Sequence, residues 1–146
     1  MPRRRLFPRL AMIAAIVIAA AQFVPIEKSN PPVETEVPAS PQVREILRRA
    51  CYDCHSNETV WPWYSRVAPG AWLMAWDVNE GRDHLNFSTW NRLSDADRQY
   101  AFEEIRDEVE SDGMPLPIYL PLHPDARLSE QDHATLDAWV RESTRR

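Results

Sequence analysis

The chain has 146 residues, enough for one domain and little more. With 44% apolar and 27% charged residues it is not a disordered chain. Its net charge of −5 hides an asymmetry. Residues 1–30 carry five basic side chains against Glu27 and sum to +4, whereas residues 31–146 carry 12 basic and 21 acidic ones and sum to −9. An acidic body repels phosphate backbones, which excludes nucleic acid as a partner.

The N-terminus reads as an address. Arg3, Arg4, Arg5 and Arg9 precede an unbroken apolar run of 12 residues, Leu10 to Ala21, and Ala19-Ala20-Ala21 offers a small-residue cleavage site. Arginines in front and an apolar core behind predict export, with the arginines left on the cytoplasmic side. Residues 1–26 are therefore expected to be a hydrophobic helix, either a membrane anchor or a cleaved signal segment. A buried core helix is the alternative, and the arginine cluster argues against it. Export would place the rest of the chain in an oxidising compartment, on the periplasmic side of a bacterial cytoplasmic membrane. Residues 27–39 are proline-rich and predict an extended linker, with a folded domain over 40–146.

Thirteen prolines against three glycines, and no sustained alternating pattern, predict an all-α domain with long proline and aromatic loops. Ser40-Pro41 caps a helix carrying Val43, Ile46, Leu47 and Ala50 at helical spacing, and that helix runs straight into Cys51. Residues 56–69 should be loop. Ala71, Trp72, Ala75 and Trp76 form the stripe of a second helix, with Gly81 as its C′ stop. Ser94 and Asp97 frame a capping box for a third, whose buried face holds Leu93, Phe102, Ile105 and Val109 and which ends at Gly113. Residues 114–124 contain four prolines and no helix; Pro115 and Pro117 are expected to hold them extended. Ser129 and Asp132 open a last helix with Leu136, Trp139 and Val140 inside.

Both cysteines of the chain lie in Cys51-Tyr52-Asp53-Cys54-His55. Residues three apart on a helical turn share a face, so both sulfurs can reach one edge of a flat molecule while the adjacent imidazole swings beneath its centre. C-x-x-C-H is read as c-type haem attachment on that geometry: Cys51 and Cys54 form the covalent links, and His55 is the proximal iron ligand. Structural zinc needs four ligands, and there is neither a third cysteine nor a His-x₃₋₅-His pair. A thioredoxin-like pair needs a βαβ context, and a disulfide across so small a loop would stabilise little.

The sixth iron position of an electron-transfer haem is usually closed by methionine or histidine. Met1 and Met12 lie in the targeting segment. Met114 sits in Gly-Met-Pro-Leu-Pro, a stiff setting suited to a soft thioether ligand, and is the distal ligand expected here. Met74, beside Trp72 and Trp76, reads as packing. His84 and His123 are loop residues held in reserve, and His133 faces out of the last helix. Trp61, Trp63, Tyr64, Trp72, Trp90 and Tyr119 are candidate haem walls, and Arg66 or an indole N–H a propionate partner. The Nδ1–H of His55 needs a carbonyl acceptor, for which Pro62 or Pro69 qualifies. The acidic run from Glu103 to Asp112 reads as a solvated face, and as a docking patch for a basic redox partner in the alternative.

The run CYDCHSNETVWPWYSRVAPGAW, with HLNFSTW and MPLPIYLPLHPDARLS, resembles the haem-binding domain family of bacteria, small exported and usually membrane-anchored haem c proteins. Asn57, Pro62-Trp63-Tyr64 and Pro69 carry more of that likeness than the haem motif does, and the family's methionine-proline segment maps onto Met114-Pro115. The resemblance implies a class I cytochrome c-like order of elements, with first and last helices crossing, and a retained anchor. It supplies no redox partner. The function expected is covalent haem c binding with single-electron transfer. The alternatives are a peroxidase-like haem enzyme or gas sensor with a displaceable sixth ligand, and a membrane-anchored zinc or interaction module.

Overall fold

Three serines start three helices. The hydroxyl of Ser40 accepts the Val43 N–H at 3.3 Å, with proline at the first helical position. Ser94 and Ser129 each form a full capping box, with Asp97 and Asp132 respectively. Each cap satisfies backbone donors that helix geometry leaves over and contributes about 1 kcal/mol. The computed structural model describes residues 3–145, with side chains from Phe7 onward. Met1, Pro2 and Arg146 lie outside the described residues, as do the side chains of Arg3, Arg4 and Arg5 in the basic cluster.

Among the described residues there are six α-helices and no strand: α1 (Arg3–Ala21), α2 (Pro41–Ala50), α3 (Tyr52–His55), α4 (Gly70–His84), α5 (Asp95–Glu110) and α6 (Glu130–Ser143). Short 3₁₀ turns cover Trp63–Arg66, Phe87–Arg92 and Pro124–Ala126. The expected all-α class is the one found. The chain divides into two compact units. One takes the residues up to Ser29 together with Trp61–Asp77, and the other takes Asn30–Val60 and Val78–Arg146.

In the first unit, α1 is a helix with Phe7, Leu10, Ile13, Ile16 and Val17 all exposed. No helix of the described residues is long and apolar enough to cross a membrane. Gln22, just past α1, exchanges hydrogen bonds with Ala68: its Oε1 accepts the Ala68 N–H at 3.0 Å and its Nε2 donates to the Ala68 carbonyl at 3.4 Å.

In the second unit, α2, α5 and α6 enclose one apolar core. Val43, Ile46, Leu47, Phe102, Val109, Leu136, Trp139 and Val140 are buried in it, as their spacing predicts. α6 packs on both α5 and α2. The extended stretch from Asn30 to Ala39 is laid onto this unit. Val37 is fully buried, the N–H groups of Glu34 and Thr35 both donate to the Ser88 carbonyl, and the Trp139 indole donates to the Pro38 carbonyl. Tyr52, Phe87, Trp90, Phe102 and Trp139 form a chain of ring contacts at 5.1–6.3 Å between centroids. Trp90, a candidate haem wall by sequence, belongs to this core.

Arg49 at the end of α2 binds Asp132 at 2.6 Å at the start of α6. Burial raises the Asp132 carboxyl, but hydrogen bonds from the Ser129 hydroxyl and N–H and from Arg49 outweigh that and bring it down to about 2. An unfolded aspartate titrates near about 3.9, so the lowered group stabilises the fold above that pH and loses its contribution as the pH falls toward 2. Denaturant unfolding at pH 5 and at pH 2.5 is expected to differ by about 1–2 kcal/mol more in the natural chain than in Asp132→Asn.

Candidate functional site

The motif is a break between two helices. Cys51 caps α2, with its N–H donating to the Leu47 carbonyl at 2.8 Å, and then leaves helical geometry at φ −125° and ψ −35°. The single turn of α3 follows, closed by the His55 N–H on the Cys51 carbonyl at 2.9 Å. Cys51, Cys54 and His55 are therefore displayed by one turn, all half-buried. Burial, with the neighbouring Cys54 adding to it, pushes the Cys51 thiol up to about 12. Among the described residues, no group of three or more His, Cys, Asp or Glu is placed to hold a metal ion.

His55 is oriented from behind. Its Nδ1 lies 3.0 Å from the Leu85 carbonyl oxygen. A carbonyl only accepts, so Nδ1 carries the proton and the ring lone pair sits on Nε2. Burial lowers the imidazole's proton affinity, against the opposing pull of the Leu85 and Gly81 carbonyls, and keeps the ring neutral. The acceptor is not Pro62 or Pro69. The Pro62 carbonyl takes the N–H and hydroxyl of Ser65, and the Pro69 carbonyl takes the N–H groups of Trp72 and Leu73, both as local turn bonds.

Leu85 reaches His55 because α4 does not stop at Gly81. The helix continues to His84, and Gly81 lies buried inside it, against the motif. A Cβ on Gly81 would stand 2.6 Å from the Cys54 carbonyl oxygen and 3.1 Å from the Cys54 Cβ. The glycine is thus a close-approach residue rather than a helix terminator. The same extension makes His84 the exposed last residue of α4 instead of a loop residue.

The loop after the motif is closed by buried polar groups. Ser56 donates to the Tyr52 carbonyl at 2.7 Å and accepts the Glu58 N–H. Asn57 donates its N–H to the Ser88 hydroxyl oxygen and its side-chain amide N–H to the Pro32 carbonyl, and accepts from Asn86 at 2.8 Å. Arg82 donates to the Ser56 carbonyl, Thr59 Oγ1 and Asn30 Oδ1. Asp53, between the cysteines, accepts the Val60 N–H at 2.9 Å and the Tyr119 hydroxyl at 2.6 Å. Sequence reading missed Gly81, Arg82, Leu85 and Asp53. Only Asp53 carried a signal, as an acidic residue inside an otherwise hydrophobic turn.

Met114 is half-buried and leaves α5 through a Schellman motif. The Gly113 N–H donates to the Glu108 carbonyl at 2.9 Å and the Asp112 N–H to the Val109 carbonyl at 3.3 Å, while the Met114 N–H joins the first acceptor at 3.1 Å. The left-handed residue is Asp112, at φ 56°, and not Gly113. Beyond it the chain is a series of turns rather than the expected extended strand. Tyr119 bonds back to Leu116, His123 to Leu120 and Ala126 to His123, with Pro117, Pro121 and Pro124 each at the second turn position. His123 stacks on Tyr119 at 3.8 Å, and His133 lies 4.0 Å from Asp112.

Five other expected pocket residues gather in the first unit. Trp61 and Tyr64 are half-buried there, Arg66 is exposed, and Trp63 and Trp72 are 74% and 39% exposed. The Tyr64 hydroxyl faces the Met74 sulfur at 3.8 Å, and Met74 is buried, which fits the packing role expected of it.

A family model described as "haem-binding domain" matches residues 16–142. The chain belongs to the haem-binding domain family. Membership in that family supports haem as its cofactor, and the matched stretch contains the whole motif, α4 and the methionine loop. Neither curated proteins nor solved structures give a match to this haem-binding domain.

Proposed function

We propose that this haem-binding domain holds haem c covalently and passes single electrons. The observation that carries the reading is the His55 arrangement: a neutral ring with Nδ1–H on the Leu85 carbonyl and its lone pair on Nε2, one residue after two thiols on the same turn. The thiols of Cys51 and Cys54 are the attachment groups, and His55 Nε2 is the proximal ligand. The Leu85 carbonyl fixes the ring's tautomer and raises its basicity. Met114 is the distal ligand. Haem, when bound, supplies a reversible one-electron change at iron. The protein's part is to hold ligands and burial constant between the two states.

The basic start and apolar run of α1 fit an export signal. The domain is accordingly placed on the periplasmic side of a bacterial membrane, where a redox protein of unidentified kind is its partner. A mass measurement on protein from the producing cell decides whether the signal is removed.

The expected spectrum of protein matured in a host competent for haem c is low-spin, with haem retained on a denaturing gel. Met114→Ala is expected to turn it high-spin in at least one oxidation state. An unchanged spectrum would remove Met114 as ligand. Haem that runs free of the chain on the gel would overturn the covalent reading.

A further inference from the structure

The segment that carries Met114 is fastened to the haem motif by the motif's own helix turn. Tyr119 lies five residues after Met114, and its hydroxyl donates to Asp53 Oδ2 at 2.6 Å. Asp53 is the second of the two residues between Cys51 and Cys54. Its other oxygen accepts the Val60 N–H, so the acceptor cannot swing away without breaking a second bond. On the near side of Met114, the Schellman bonds to Glu108 fix the chain where it leaves α5. On the far side, Arg49, two residues before Cys51, donates to the carbonyls of Asp125 at 2.8 Å and Arg127 at 3.2 Å. Between these points run the prolyl turns of residues 116–126.

We propose that Asp53 and Tyr119 form a latch that positions the methionine loop, so that a spacer residue of the haem motif governs occupancy of the sixth iron position. This rests on the reading of Met114 as distal ligand. Both residues act through Met114, and neither touches iron. A hydrogen bond to a charged group is among the stronger single contacts in a folded protein, and its loss here releases the loop centre while leaving both loop ends held. Tyr119→Phe removes one oxygen and keeps the ring that stacks on His123. Asp53→Ala removes the acceptor, whereas Asp53→Asn keeps one acceptor oxygen for the Val60 N–H and offers an N–H to the Tyr119 oxygen, so it is the conservative variant.

Two readouts on the full chain test this. The first is carbon monoxide binding to the ferrous haem protein, which requires the distal ligand to leave. Tyr119→Phe and Asp53→Ala are expected to raise the binding rate about 10-fold or more, with Asp53→Asn between them and the natural chain. The second is amide hydrogen exchange over residues 114–123, measured with and without haem. It is expected to quicken in the same two variants and not over α5 or α6. Unchanged exchange over 114–123 in Tyr119→Phe would overturn the latch. Faster exchange with unchanged carbon monoxide binding would overturn its control of the sixth position. Failure of the ligand reading is seen separately: the natural protein would then bind carbon monoxide as fast as Met114→Ala does.

Discussion

Gly81→Val is expected to abolish stable haem attachment and to destabilise the second unit by about 3 kcal/mol or more, and Gly81→Ala by about 1–2 kcal/mol. Two opposing effects set the sizes. Alanine in a helix interior is favoured over glycine by about 1 kcal/mol, so an isolated α4 would be strengthened by the change. The new Cβ, however, would sit 2.6 Å from the Cys54 carbonyl oxygen, a backbone atom that no rotamer change can move. Overpacking of this kind costs about 1–3 kcal/mol for a methyl group, and a β-branched side chain adds two more carbons at the same place. Relief requires α4 to withdraw from the motif. Withdrawal carries Leu85 away from His55 Nδ1 and loosens the donors of Arg82, which grip the loop at Ser56 and Thr59. Denaturant unfolding together with haem stain intensity per chain checks the result. Far-ultraviolet dichroism of α4-containing protein should stay near the natural value for Gly81→Ala, because the helix itself is not what is damaged.

That glycine shows where sequence reading stops. A helix start is a local matter: Ser94 and Asp97, or Ser129 and Asp132, complete their capping boxes within four residues, and all three serine caps were legible as such. The stripes of α5 and α6 were legible too, because Phe102, Ile105, Val109, Leu136, Trp139 and Val140 face one core. The end of α4 was not. A glycine after a periodic segment reads as a C′ stop on local rules, whereas Gly81 is demanded by the backbone of Cys54, 27 residues earlier. The phase of α4 misled for a related reason. Ala71 and Ala75 are buried, as expected, but their partners are Met74 and Val78, while Trp72 and Trp76 are 39% and 61% exposed. Bulk alone does not say which side of a helix faces inward. Asp112 reverses the usual assignment at the end of α5, taking the left-handed position beside an available glycine. In the site, the residue types that would carry chemistry were visible as Cys51, Cys54, His55 and Met114. The groups that orient them, Leu85, Asp53 and Arg82, act through a backbone carbonyl, a spacer and a helix residue, and composition marks none of these strongly.

Replacing both Cys51 and Cys54 by serine is expected to remove covalent haem completely while leaving most of the helical fold of the second unit intact. The sulfurs are the attachment chemistry in this reading, so no haem should remain on the chain through a denaturing gel. The fold should survive because the core of the second unit runs through Leu47, Phe87, Trp90, Phe102, Leu136 and Trp139, with Cys51 only packed against its edge. Burying each such side chain contributes about 1.5–3 kcal/mol, and neither substitution touches one of them. Each exchange of sulfur for oxygen costs less than a core truncation, since both positions are half-buried. The backbone bonds of Cys51 to Leu47 and of His55 to Cys51 do not depend on the side chain. The tautomer argument adds a second outcome. His55 and its Leu85 contact persist in the double variant, so added haem should still bind reversibly through His55 Nε2. The further change His55→Ala should abolish that residual binding. Titration of the serine variants with haem, followed by the Soret band, separates the two contributions. If the double-serine chain binds haem no better than the triple variant, His55 is not the iron ligand, whatever the cysteines do.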